Sequence, residues 1–394
     1  MGAPSLPPDR YFRMHIIGYF EGLDSERGIV WRCSDSRSLG DFLRLGNRDR
    51  VPDHSWLSKT RSRLPHEVHQ KVFTFAQKLV GERGLVKGER IGVDGSTMEA
   101  NAALRTIVRR DNGETYREML TRMVKESGVE TPTIDDLIRL DRNRKGKKLS
   151  NQDWRSNTDP DAKIAKMKDG STHLAYKPEH AVDLDTRVIG AAPIHGADKG
   201  DTTTLDPTLE EPQKNLSAVS LAPTPEEPCD LVADKGYHSR DILKGFDDSP
   251  WKTRIAEPQP SKGYSRWRGD DEARKAVDGN RNRLKSGVGG EAMRKRGEIV
   301  ERSFAHVLER GGMRRTWLRR RENVHKRYLV NVAGYNFGIL MRALFGAGTP
   351  REAVNVRFPF LFLIQAADTI TFVIIAESDA ETAALIVAVT GETA

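Results

Sequence analysis

The chain is short of cysteine: Cys33 and Cys229 are the whole complement in 394 residues. They lie far apart and outside any CxxC or Cys/His ligand spacing, which excludes a disulfide scaffold and a structural zinc site and fits a reducing cytoplasm. Met1–Pro8 lacks a charged stretch followed by an apolar one, so no secretory signal is expected and the protein is expected to be cytoplasmic. A clean membrane-spanning run is missing as well. The apolar stretch Phe358–Ala376 is broken by Pro359, Gln365 and Asp368, and a central Asp alone costs about 2.5–3.5 kcal/mol to insert.

What the chain does have is basic charge in one place. Its 64 Lys and Arg against 56 Asp and Glu leave +8, yet Arg281–Arg327 holds 15 basic residues against 5 Glu, a net of +10, so the rest is net −2. Arg314, Arg315, Arg319, Arg320 and Arg321 fall within eight residues, with Glu309 and Glu322 near them. A run so poorly balanced is read as phosphate contact, against the plainer alternative of a solvated helix face. The length allows two or three folding units.

Residues 1–88 read as a helical domain. Pro8 and Asp9 open a segment with Tyr11, Met14, Ile17 and Phe20 near helical spacing, and Ser38 precedes Leu39, Phe42 and Leu43 as a cap. Asp53 caps a helix holding Trp56 and Leu57, and Val68, Val72, Phe75, Ala76 and Leu79 mark another after Pro65. Lys59, Arg61 and Arg63 are expected on an exposed face of the Trp56 helix, as DNA contacts of a helix-turn-helix. Residues 89–348 form the second unit. Ile91–Val93 reads as a buried strand ending at Asp94, and Asp230–Ala233 as another ending at Asp234. Between them, residues from about 105 to 170 read as a charged, loop-rich and largely mobile insertion with helix near Tyr116–Lys125 and Asp135–Leu140. His173–Val182 and Arg187–Pro193 read as a hairpin, with Lys177 and His180 on one side of it, facing a substrate strand. A basic helix resumes at Glu291 with Met293, Val300 and Phe304 inward, and Val324–Leu344 continues as an apolar helix. Residues 349–394 are an atypical acidic and apolar tail; from Glu352 onward there are six acids and one Arg.

Two strands that each deliver an Asp at the C-terminal end, with Glu298 and Glu301 on a later helix, call for a mixed α/β fold in which the acids meet in a crevice. Such a cluster repels itself when empty, and two divalent cations would neutralise it and hold the oxygens of an in-line phosphoryl displacement. Oxygen ligands favour Mg²⁺ or Mn²⁺ over zinc. Each acid alone is a weak signal, since an Asp after a strand is usually a turn residue or a cap. Ala-Asp-Lys-Gly occurs twice, at Ala197–Gly200 and Ala233–Gly236. Asp234 directly follows an apolar strand and is kept; Asp198 and Asp201 are read as loop residues.

Val93-Asp94-Gly95-Ser96-Thr97, Ala233-Asp234-Lys235-Gly236-Tyr237-His238-Ser239 and Val300-Glu301-Arg302-Ser303-Phe304 resemble the three signatures of bacterial DDE insertion-sequence transposases. Val51–Ser55 with Leu57–Arg61 resembles that family's helical N-terminal domain, and Gly311–Arg315 its segment after the Glu. The resemblance spans residues 10 to about 350. It implies an RNase H-like mixed sheet with flanking helices behind an all-helical N-terminal domain. It further implies Asp94, Asp234 and Glu301 as catalytic metal ligands, double-stranded DNA as partner at element ends and target, and a homodimer or larger assembly on DNA. Many relatives carry a Tyr, an Arg and a Lys around the Glu, but positions 294, 297 and 308 here are Arg, Gly and Leu. Arg294, Arg302 and Arg310 stand as substitute cations, and Glu298 as a rival to Glu301. Lys235, Tyr237 and His238 are read either as phosphate or base contacts or as a plain turn. Trp154, Trp251, Trp267 and Trp317 are read first as anchors, with Trp317 as a base-stacking alternative. Against the transposase reading stand a metal-dependent nuclease and a DNA-binding protein without catalysis; the presence of all three acids favours catalysis.

Overall fold

The computed structural model describes residues 6–46, 48–145, 149–167, 169–217, 219–259, 270–350, Glu352 and the backbone of two short strands near the C-terminus. Five helices come first: α1 (Pro8–Glu21), α2 (Glu26–Ser34), α3 (Arg37–Phe42), α4 (His54–Arg63) and α5 (His66–Glu82). Their starts follow local chemistry. Ser25, Ser36 and Asp53 each accept a backbone N–H of the first turn, and Pro8 sits where a helix needs no donor. Ser36, two residues before the expected Ser38, is the cap of α3.

The central sheet begins with β1 (Arg90–Gly95) and β2 (Met98–Glu99). The described residues of the segment expected to be loose carry regular structure: β3 (Ile107–Arg109) pairs with β4 (Trp154–Ser156) around α6 (Tyr116–Glu126) and α7 (Ile134–Asn143). Both helices start at capping boxes, Thr115 with Glu118 and Thr133 with Asp136, and Met119, Leu120, Val124, Leu137 and Trp154 are buried. Next come β5 (Lys163–Lys166), β6 (Thr172–Asp183), β7 (Ile189–Ala191), β8 (Ile194–Gly196), α8 (Asp201–Ser217) and β9 (Cys229–Ala233). They are followed by α9 (Arg240–Asp247), β10 (Trp251–Ile255), α10 (Asp271–Lys285), α11 (Gly287–Phe304) and, past a π-helical turn at Ala305–Arg310, α12 (Arg321–Phe345). Near the C-terminus β11 (Val373–Glu377) pairs with β12 (Ala384–Ala388). Most of the apolar run Phe358–Ala376 lies outside the described residues, as does Trp267.

The order β10-β9-β1-β6 runs through the sheet, with β1 parallel to β9, β9 parallel to β10 and β6 antiparallel to β1. Side chains of a strand alternate between faces, and here the alternation feeds two separate cores. Ile91, Val93, Ala181, Leu231 and Ala233 join Leu205 of α8, Leu243 of α9 and Ala276 of α10. Val182 and Val232 join Val300 of α11, Tyr328 of α12 and the apolar faces of α1 and α5. The first core therefore lies under α8–α10, and the second joins the sheet, α11, α12 and the N-terminal helices. Among the described residues no helix is long and apolar enough to cross a membrane.

Candidate active site

Val93 stands opposite Ala233 in the parallel β1–β9 pair, so Asp94 and Asp234 are the next residues at the same level of the two neighbouring strands. The alternation that buries Ile91 and Val93 towards α8 turns Asp94 towards α11, and extended backbone at Asp234 continues the same phase from Leu231 and Ala233. Each carboxylate is oriented by a nearby amide: Gly95 N–H donates to Asp94 Oδ1 at 2.8 Å and Gly236 N–H to Asp234 Oδ1 at 2.9 Å.

Helix α11 crosses the face of the β1–β6 pair, from Arg90 and Asp185 at the far end to His180, which stands opposite Asp94. Glu291 pairs with Arg90 at 3.7 Å, Lys295 with Asp185 at 3.2 Å, Val300 packs on Gly92, and Ser303 hydrogen-bonds His180 at 2.7 Å. Glu301 follows Val300, turned from it by about 100°, and is exposed. Its carboxylate makes no hydrogen bond or ion pair among the described residues, whereas Glu298 pairs with Arg302 at 3.0 Å. Asp234 likewise has no basic partner among them. Asp94 has one: Arg296 Nη2 stands 2.9 Å from its Oδ1. No three His, Cys, Asp or Glu side chains among the described residues stand close enough to hold one metal ion together.

Beneath the two Asp corners, on the α8 face, lies a buried network that the sequence did not announce. Glu179 is fully buried and accepts from Thr204 and Thr208 (2.5 Å each) and Tyr237 (3.1 Å), with Lys177 at 2.7 Å. Burial pushes its carboxyl up, but the bonds from His195, Lys177 and Thr204 outweigh that and bring it down to about 2. Lys177 also reaches Asp201 at 2.6 Å. Asp201 is thus not a loop residue but the first residue of α8, and its carboxylate occupies the place a Cβ on Gly236 would need, 3.1 Å from Asp234 Oδ1.

Several expectations are corrected. Lys177 and His180 differ by an odd number of positions and so lie on opposite faces of β6. Lys177 serves the Glu179 network, and His180 is buried under α11, stacked on Phe304 and bonded to Ser303 and Tyr328. Arg61 is buried in an ion pair with Glu26, not exposed, while Lys59 and Arg63 are exposed. Trp317 is not an open stacking platform: the guanidinium groups of Arg61 and Arg327 lie over its ring, at 5.3 and 5.0 Å. Trp154 and Trp251 are buried. The ring of His238 is largely buried, 3.8 Å from Glu257, and only Lys235 of that turn is exposed among the two basic residues. Arg294, Arg302 and Arg310 are all exposed, and the cation against Asp94 is Arg296, one position from the Gly that stands where relatives carry an Arg.

The basic run is a surface. Arg314, Arg315, Arg319, Arg320 and Arg321 are all exposed, with Arg314 paired to Glu309 at 2.5 Å and Arg315 to Glu99 at 3.4 Å. Arg320 has φ 68°, a conformation that favours Gly, and its turn is clamped by carboxylates: Arg320 N–H donates to buried Asp159 and Arg321 N–H to Asp161, both at 3.1 Å. A groove of about 430 Å³ runs between this turn and α4, lined by Ser58, Ser62, Asn101, Trp317, Arg319 and Arg320.

Residues 138–337, half of the chain, match the family described as transposase DDE domain. The chain belongs to the DDE transposase family. The match takes in β9 with Asp234 and α11 with Glu301, and Asp94 precedes it. Residues 1–63 match a second family, described as transposase domain (DUF772). No curated protein and no solved structure in the comparisons matches the chain. The transposase has the RNase H-like fold of its family, a mixed sheet flanked by helices, and it is a DNA-binding enzyme of DNA cleavage and strand transfer, from a family that is metal-dependent, generally on divalent cations.

Proposed function

We propose that Asp94, Asp234 and Glu301 are the catalytic carboxylates of this transposase and hold its divalent cations. The observation that carries the reading is one of phase: both Asp corners sit at the same level of adjacent parallel strands and turn towards the helix that bears Glu301. Charge supports it. Asp234 and Glu301 have no cation against them among the described residues, whereas the rival Glu298 is engaged by Arg302. The donor set is oxygen alone, which suits Mg²⁺ or Mn²⁺, and two ions fit the demands of in-line displacement. When bound, such ions supply an activated attacking oxygen and a stabilised leaving oxygen.

The chain's own groups do the rest. The amides of Gly95 and Gly236 fix the rotamers of the two Asp residues, and the Glu179 network fixes the corners themselves. Arg319, Arg320 and Arg321, with Arg314, Arg315, Lys59 and Arg63, hold phosphates of the element end in and beside the groove along α4. Lys235 and Arg302 flank the reacting strand. Residues 1–88 serve end binding, residues 89–348 the chemistry, and a homodimer brings two ends together.

The test is an assay with labelled element ends and a target plasmid, with and without Mg²⁺. Joined products are expected with the wild type. Asp94→Asn, Asp234→Asn and Glu301→Gln are expected to lower cleavage by at least about a hundredfold while end binding stays within about twofold. Activity retained in Glu301→Gln and lost in Glu298→Gln would move the third ligand to Glu298. Hydrolysis without joined products would favour a nuclease.

A further inference from the structure

Arg296 is 8% exposed, so its charge has been taken out of water and needs a partner, and the partner it has is Asp94. Its Nε donates to the carbonyl of Val93 at 3.2 Å, on the same strand end. Nη2 stands 2.9 Å from Asp94 Oδ1, yet it is buried without a hydrogen bond of good geometry, so this is an ion pair that lacks the alignment of a strong one. The guanidinium is thus anchored firmly by one atom to the backbone and held loosely by another to the carboxylate. It also rides on α11, five positions before Glu301.

We propose that Arg296 is a positioning residue for the transposase reaction: it stands against Asp94 while no divalent cation is bound and yields that carboxylate when one arrives. The inference rests on the reading of Asp94 and Asp234 as metal ligands. Neighbouring carboxylates raise each other's energy, and Asp234 has no cation of its own among the described residues, so one guanidinium beside Asp94 lowers the repulsion of the empty pair. A divalent ion carries twice the charge in a smaller radius and displaces the poorly aligned Nη2. The bond to Val93 is untouched by that exchange, so α11, and Glu301 with it, keeps its register on β1.

The consequence is a competition that is measurable without DNA. Binding of Mn²⁺ to the full-length chain, followed by the electron paramagnetic resonance signal of the free ion, is expected to tighten at least about threefold in Arg296→Gln. Arg296→Lys is expected to return it towards the wild-type value. Arg296→Met, which replaces the buried charge by an apolar group of similar length, carries the same expectation should the Gln variant not fold. A folded Gln or Met variant that binds Mn²⁺ no more tightly than wild type overturns the proposal. Asp94→Asn separates the two layers. If it weakens Mn²⁺ binding while Arg296→Gln leaves it unchanged, the role of Arg296 fails and the metal site stands; if it leaves binding unchanged, the metal-site reading fails and takes the role of Arg296 with it.

Discussion

Glu179 shows how a single buried charge can hold a site it does not enter. Thr204, Thr208, Tyr237, Lys177 and His195 surround it; α8, which supplies the threonines, also carries Asp201 to the Asp234 corner, and Gly95, after Asp94, packs against Lys177 and Glu179 themselves. Glu179→Gln takes from Lys177 the buried one of its two carboxylate partners, leaving the half-exposed Asp201, and should cost about 3–5 kcal/mol, read as a fall in melting temperature at neutral pH. The pH dependence has a definite sign. Its carboxyl falls from 4.5 when unfolded to about 2 when folded, so the stability it contributes is complete above about pH 4.5 and disappears as the pH falls towards 2. The difference in melting temperature between wild type and Glu179→Gln should shrink over that window; a constant difference would mean that Glu179 acts by packing alone. Gly236 gives a second test. Its φ is not positive, so backbone freedom does not require it; close approach does, because a Cβ there meets the Asp201 carboxylate and lies 3.1 Å from Asp234. Gly236→Ala should lower cleavage by about tenfold or more with the melting temperature nearly unchanged, since the displaced groups are side-chain ends at the site.

At the scale of elements, the turn from Arg314 to Arg321 is a display for guanidinium groups. Arg314 and Arg315 are partly engaged by Glu309 and Glu99, so Arg319 and Arg321 are the better probes. Replacing both with Gln should weaken binding to element-end and scrambled duplexes alike and reduce the slope of log K against log salt by about 0.9 per lost contact. Arg320→Gly should separate fold from function, with a higher melting temperature because φ 68° costs Gly little, and weaker DNA binding if the proposed phosphate contact is lost. A filter-binding series and a thermal melt check both halves; a Gly variant that melts lower would mean that the Arg320 side chain supports the turn. Much of this level was legible in the chain. The short apolar runs before Asp94 and Asp234, the hairpin and the basic run are read directly, because strand ends and charge runs are local. The two helices α6 and α7 were legible too, in Thr115–Glu118 and Thr133–Asp136, two capping boxes that the surrounding charge concealed. What sequence could not give is pairing at a distance. Arg61 finds Glu26 35 positions away, Arg296 finds Val93 203 positions away, and the opposite faces of Lys177 and His180 follow from strand parity that only the sheet makes visible.

At the scale of the whole molecule, α5 packs along α12, and one apolar core takes in Tyr11 and Met14 of α1, Phe73 of α5, Val300 of α11 and Tyr328 of α12. Residues 89–350 made alone would expose the inner side of α12. They should show no cooperative melt, and residues 6–88 supplied as a second chain should restore one; a stable fragment would show that the helical segment is only an attachment. The same seam fixes a length. If, as proposed, the duplex is gripped along α4 and cut at Asp94, the grip cannot move against Asp94 without tearing the core that Leu57 of α4 shares with α11 and α12, so the distance from grip to cut would be a property of the protein, measured out along the DNA. On that reading the enzyme would act as a gauge. One base pair added between the bound sequence and the junction moves the junction phosphate by about 3.4 Å along its strand, and the cut should stay at its old distance from the grip and fall one nucleotide away from the junction.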